Sequence, residues 1–232
     1  MPTNGIYAAA AGMVAQQSKI DAIANDLANA STTGYKAERV GFRDLLDSAG
    51  SAVVDLGRTM SQGVMQPSED PLAVAIDGPG YFQVRRADGS SALTRNGQFQ
   101  LDAKGQLVTV TGEQLVPPIS FPANTDPADV KIAGDGTVSL KGRTVGKISL
   151  LDVPAPDGLQ SVGSSMFVAT QASGAAVPSA AARLTQNQLE AANVDMASSM
   201  TELMDAQQGY QLSSRAIQTQ DQLLNIANQL KK

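Results

Sequence analysis

The chain is 232 residues long, carries a formal net charge of −5 and is 42% apolar, enough to bury a real core and to exclude wholesale disorder. It contains no Cys and no His, which removes disulfide frameworks, thiolate nucleophiles, Cys- or His-ligated metals, Ser-His-Asp triads and imidazole acid–base chemistry. The acidic balance speaks against nucleic acid as a partner, since binding phosphates calls for a basic stripe, and no stretch approaches the ~20 apolar residues of a membrane span.

Proline divides the chain. Pro2 is terminal and the other ten prolines lie between Pro67 and Pro178, so long helices are expected only at the two ends. At the N-terminal end, Met-Pro-Thr-Asn-Gly-Ile offers no basic segment before an apolar one, and no cleaved secretion signal is expected. Ile6, Met13, Ile20 and Leu27 recur every seven residues on a surface otherwise made of Ala, Gln, Asn and Ser, the pattern of a heptad helix. Residues 1–35 hold only three charges, Lys19, Asp21 and Asp26. Ser31-Thr32-Thr33-Gly34 reads as the stop, with Gly34 free to turn left-handed. An N-terminal helical arm over 1–36 follows.

Residues 37–70 show little periodicity and read as an extended connector. The stretch 71–175 reads as a β domain. Strand-like runs at 72–76, 81–84, 106–110 and 147–151 alternate with the turn signals Asp77-Gly78, Asp88-Gly89, Asn96-Gly97, Lys104-Gly105, Asp135-Gly136 and Asp157-Gly158. Turns this frequent predict antiparallel pairing. Residues 171–183 resemble the first connector, so 176–232 is expected to hold a connector and the C-terminal helical arm. In that arm Met196, Leu203, Tyr210, Ile217 and Leu224 are again seven apart, and Asp195 stands where a helix start favours negative charge. Residues 186–230 carry nine Gln and four Asn, so the arm is polar yet mostly uncharged. The fold class is α+β: long coiled-coil helices from both chain ends flanking a central antiparallel β domain.

Chemistry-bearing motifs are scarce. Gly78-Pro79-Gly80 and Gly134-Asp135-Gly136 do not extend to a dinucleotide or P-loop pattern and read as hairpin turns. Asp70, Asp77, Asp88 and Asp102 could in principle include a glycosidase-like pair, but each sits in turn-like surroundings. No catalytic residue, cofactor site or metal site is expected. The two heptad stripes have two readings, an ordinary intramolecular core or an assembly surface. Their terminal placement, low charge and Gln/Asn-rich outer faces favour assembly.

Three blocks carry a family resemblance. Ala24-Asn25-Asp26-Leu27-Ala28-Asn29-Ala30-Ser31-Thr32-Thr33-Gly34-Tyr35-Lys36 resembles the A-N-N-L-A-N…T-T-G-[FY]-K signature of bacterial flagellar rod and hook proteins. Asp70 to Val84, followed by Leu93-Thr94-Arg95-Asn96-Gly97, is similar to the start of that family's β domain. Leu189-Glu190-Ala191-Ala192-Asn193-Val194-Asp195 resembles the entry to its C-terminal helix. The chain departs from the usual pattern at Asp26, at Ala192 and at Gln208-Gly209-Tyr210.

The resemblance implies a structural subunit of the basal-body rod, not an enzyme. Such a subunit would be exported unfolded or partly folded through the flagellum's own type III channel and would assemble into a tubular homo-oligomer that carries torque from motor to hook. Its partners would be other rod and hook proteins and the export apparatus, with no nucleic acid and no membrane span. Its place would be the basal body, in the cell envelope. Ile6, Met13, Ile20, Leu27, Met196, Leu203, Tyr210, Ile217 and Leu224 would zip the arms together. Asn25, Asn29, Thr33 and Gly34 would fix the helix end and the turn beyond it. The arms would be unfolded in the monomer, with protease cleavage near 37–70 and 171–190. The competing readings are a hook-type subunit of the same family and, from a different class, a monomeric β-domain binding module with protease-resistant ends. A carboxylate-dependent wall hydrolase is the third and weakest.

Overall fold

The computed structural model describes residues 3–45, 50–122, 125–179 and 181–230. One helix near each end flanks antiparallel β structure, an α+β arrangement. In chain order the elements are helix α1 (Thr3–Ala28), strands β1 (Glu38–Leu45), β2 (Gly50–Arg58), β3 (Met65–Pro67), β4 (Val74–Asp77), β5 (Tyr81–Arg85), β6 (Ser91–Thr94), β7 (Phe99–Leu101), β8 (Leu107–Thr109) and β9 (Gln114–Leu115). Then follow β10 (Val130–Ile132), β11 (Thr137–Leu140), β12 (Arg143–Lys147), β13 (Leu150–Asp152), β14 (Gln160–Gly163), β15 (Met166–Val168), β16 (Val177–Pro178), β17 (Arg183–Gln186), β18 (Gln188–Glu190) and helix α2 (Met196–Leu230). The chain divides into two compact units: α1, the β1–β2 hairpin and α2 form the first, and residues 29–37 with 59–193 form the second.

In the first unit α1 is rich in Ala, the best helix former, and ends at Ala28. Helix α2 starts on Asp195, whose carboxylate accepts the Ala197 N–H at 3.0 Å and whose carbonyl receives the Ser199 N–H at 2.9 Å. This N-cap supplies partners that the first turn otherwise lacks. The two helices pack side by side. A methyl group on Gly12 would lie 3.5 Å from Ser213 Oγ, and one on Gly209 would lie 3.0 Å from the Gln16 side chain. Residue 12 thus faces 213 while 16 faces 209, so the helices run antiparallel. The stretch 37–70, expected as an extended connector, contains paired strands. β1 and β2 form a hairpin in register from Leu45↔Gly50 to Val40↔Asp55, with a bulge before Glu38↔Arg58, and the hairpin packs on α1.

The second unit holds the large core. Its main sheet runs β14-β15-β6-β5-β9-β8-β7, with β13 joining β5 and β16; β10-β11-β12 form a three-stranded sheet, and β17 pairs β4 while β18 pairs β3. Phe82 and Phe99 meet edge to face at 5.0 Å among Val74, Ile76, Leu107, Leu115 and Ile148. Of the expected strand runs, 72–76, 81–84 and 106–110 appear as β4, β5 and β8. The run 147–151 is split, Lys147 ending β12 and Leu150 opening β13. β structure also continues beyond 175, through β16, β17 and β18 to Glu190, with Leu184 in the core. The stretch 171–190, expected to be open to protease, includes these pairings.

Candidate assembly site

Helix α2 has two distinct faces. The covered row is Ser199, Leu203, Ala206, Gly209, Ser213, Ile217 and Gln220, at the three- and four-residue spacing of a helix seam. Ala206 is buried outright, as are Ala15, Ala22 and Ile23 of α1. On a wheel of about 100° per residue, Met200, Met204, Leu212, Leu223 and Ile226 fall on roughly the opposite side. These five, with Met196, are between 48% and 65% exposed. A row of large apolar side chains in water, on a helix already packed along its other face, is the mark of an unfilled interface.

The proposed zipper residues sort as follows. Met13, Ile20, Leu27, Leu203 and Ile217 are half-buried, whereas Met196 and Tyr210 are exposed. The side chains of Ile6 and Leu224 lie outside those described. At the end of α1, the Asn29 carbonyl accepts the Thr32 N–H at 2.9 Å and its side chain receives the Thr32 hydroxyl at 3.3 Å. Gly34 turns left-handed with φ +67°. A Cβ there would come within 2.7 Å of Asn96 N, so glycine is required for both conformation and space. Thr33 is half-buried and Asn25 exposed.

The second unit contains a buried ionic junction beside this turn. Glu190, at the end of β18, accepts the Lys36 ammonium at 2.5 Å, the Arg95 Nη1 at 3.0 Å and the Gly63 N–H at 2.9 Å. Lys36 also donates to the Ser61 carbonyl at 2.6 Å, and Arg95 Nη2 to the Gly78 carbonyl at 2.9 Å. The guanidinium lies 5.3 Å from the Tyr81 ring centroid, a cation–π distance. Burial pushes Lys36 down from the ordinary lysine range against the pull of Glu190, and burial pushes the Tyr81 phenol up. Three residues further on, Asn193 accepts the Ala37 N–H at 2.7 Å and donates to the Thr59 carbonyl at 2.6 Å. The Gly34 N–H reaches the Glu190 carbonyl at 2.8 Å.

Of the four carboxylates weighed as a glycosidase pair, three cap turns and Asp77 ends β4. Asp70, Asp88 and Asp102 accept the N–H groups of Leu72, Ser90 and Lys104, the Asx-turn pattern. Among the described residues no group of acidic side chains is arranged to hold a metal ion, and no helix is long and apolar enough to cross a membrane.

Comparison with known proteins bears on all three sequence blocks. Residues 6–36 match the family described as flagella basal body rod protein, residues 75–140 the flagellar hook protein FlgE/F/G D1 domain, and residues 185–230 the flagellar basal body rod FlgEFG protein C-terminal region. The chain is 35% identical to the flagellar basal-body rod protein FlgG of Borreliella burgdorferi, over 98% of each chain. It is 33% identical to FlgG of Bacillus subtilis, again over 98% of each, and 31% identical to the rod protein FlgF of Caulobacter vibrioides over 90% of this chain and 89% of that one. The chain belongs to the flagellar basal-body rod protein family.

The junction gives this rod-family resemblance a physical basis. Gly34 and Lys36 come from the first block, Arg95 and Asn96 from the second, Glu190 and Asn193 from the third, and in the fold they meet. Sequence reasoning quoted Lys36, Arg95 and Glu190 within those blocks but assigned them no role. The available signal was weak: each block is sparsely charged, but Asp26, Asp70, Asp77 and Asp195 stand in the same blocks, so nothing marked Lys36, Arg95 and Glu190 as a set. Asp26, where the chain departs from the family's Asn, has a place in the fold: the buried carboxylate accepts the Glu38 N–H at 3.0 Å, holding the first residue of β1 to α1, a bond that an Asn oxygen could also make.

Proposed function

We propose that this structural, non-enzymatic rod protein of the flagellar basal body assembles with copies of itself through its terminal helices. The antiparallel α1–α2 pair, with its three- and four-residue seam spacing, serves as a coiled-coil-like strut. The outward face of α2 is the surface that adjoining subunits cover. The observation that carries this reading is the exposed row Met196, Met200, Met204, Leu212, Leu223 and Ile226. Fully burying a large apolar side chain contributes about 1.5–3 kcal/mol, and these six, about half exposed, each have roughly half of that to gain, so several together offset the entropic cost of assembly. Low charge suits that arrangement, because a charged side chain buried between helices costs several kcal/mol to desolvate. Gln and Asn offer hydrogen bonds instead.

The tubular assembly, the transfer of torque from motor to hook, the other rod and hook proteins as neighbours, and export through the flagellar type III channel belong to this same proposal. The resemblance supports them, as do the relatives' names as rod proteins. Paired substitution of Met204→Asp and Leu212→Asp tests the assembly face. Both side chains point to water in the single chain, so the variant is expected to keep the wild-type circular dichroism spectrum while swimming is lost. Unimpaired swimming with a folded variant would remove the outward face from the assembly.

A further inference from the structure

We propose that residues 184–193 act as a latch, so that the second unit closes only when this late segment of the chain is in place. The ten residues reach back to segments far apart in sequence. Leu184 enters the main core and its N–H reaches the Gly134 carbonyl at 3.1 Å. Gln186 donates to the carbonyls of Pro71 and Val130 at 2.6 and 2.9 Å and accepts the Ile132 N–H at 2.9 Å. β17 supplies the strand partner of β4, from Arg183↔Asp77 to Gln186↔Val74. Val74, Ala75 and Ile76 of β4 are fully buried. Glu190 then bonds both Lys36 and Arg95, and Asn193 joins Ala37 to Thr59.

A chain is made from its N-terminus. Before residue 184 appears, closing the unit would bury the Lys36 and Arg95 cations without the carboxylate that both bond. Removing the anionic partner of a buried charge cluster is strongly destabilising. The same premature closure would leave the apolar strand β4 with an open edge, a template for wrong pairing, and would leave the carbonyls of Pro71 and Ala73 without the donors from Gln186 and Asn187. The unit therefore stays open until the latch arrives, and the two cations, whose charge keeps the segments around 36 and 95 hydrated, enforce that delay. This inference concerns closure of one unit and holds whether or not the helices assemble.

Pulse-labelling hydrogen exchange during refolding of the full-length chain tests it. Amides of Val74–Ile76 and Leu107–Thr109 are expected to become protected in the same kinetic phase as those of Leu184 and Ala191. Earlier protection of β4 and β8, with 184–191 still exchanging freely, would overturn the latch. Steady-state exchange of Glu190→Gln gives a second reading: protection at Val74–Ile76 is expected to fall by about a hundredfold, whereas loss confined to residues 61–64 and 190 would overturn the proposal. If that variant does not fold, Asn193→Ala replaces it, with a smaller loss of protection expected across the same strands and the same local-only pattern as the contrary result.

Discussion

At the level of single residues, the sharpest constraints are places where backbone meets backbone. A Cβ on Gly97 would stand 1.6 Å from the Val74 carbonyl oxygen, in the first residue of β4, whose N–H bonds the Gly97 carbonyl at 3.0 Å. Gly97→Ala is expected to destabilise the second unit by about 3 kcal/mol, read from urea unfolding. Gly89 is the contrast, with φ +82° but nothing within 4 Å. Its replacement by Ala should cost only the left-handed backbone term, about 1 kcal/mol. Asp26 makes a different point. Its role is to accept the Glu38 N–H, which an Asn oxygen does as well, so Asp26→Asn should change stability by less than about 1 kcal/mol, against about 1–2 kcal/mol for Asp26→Ala. Equal losses in the two variants would mean that the charge itself matters. Glu113 sets an acid dependence. Partial burial pushes its carboxyl up, but hydrogen bonds from the Thr109 and Thr111 hydroxyls outweigh that and hold it below the ordinary range. A depressed folded value means stability that is present above the usual carboxylate range and lost as pH falls through the folded value. Acid titration of Glu113→Gln should therefore show a shallower loss than wild type.

Among elements, what could be read from the sequence followed hydrophobic period and turn chemistry. Both terminal helices, β4, β5 and β8 were legible because their patterns are uninterrupted, and the Asp-Gly turns at Gly78, Gly89 and Gly136 because only glycine takes their positive φ cheaply. The hairpin at 38–58 was not, since Gly41 and Gly57 and a scatter of charges break its alternation. The seam of α2 was half-legible. Leu203 and Ile217 stand out, but the rest of the covered row is Ser199, Ala206, Gly209, Ser213 and Gln220, small or polar residues that no hydrophobicity scan selects. Close approach of two backbones favours small side chains at just such positions. Conversely, Met200, Met204 and Leu212 stand off the heptad positions, and the structure leaves them in water. Neither the ionic junction nor the latch was legible, because both depend on which distant segments are brought together, and a single sequence does not encode that as a local pattern.

For the whole molecule, the central claim is that the outward face of α2 adjoins other copies of the chain in the assembled rod. The chain contains no Cys, so a single introduced thiol reports on one place without interference. Leu212→Cys puts it on the outward face, and Ala206→Cys puts it in the buried seam. The most direct measurement is treatment of purified basal bodies carrying either variant with a short bis-maleimide, followed by denaturing electrophoresis. A neighbour on the outward face brings a second thiol within reach, so Leu212→Cys is expected to give covalent dimers, the largest product that one thiol per chain allows, while Ala206→Cys stays monomeric. Monomer alone from Leu212→Cys, in basal bodies of cells that still swim, would contradict the claim.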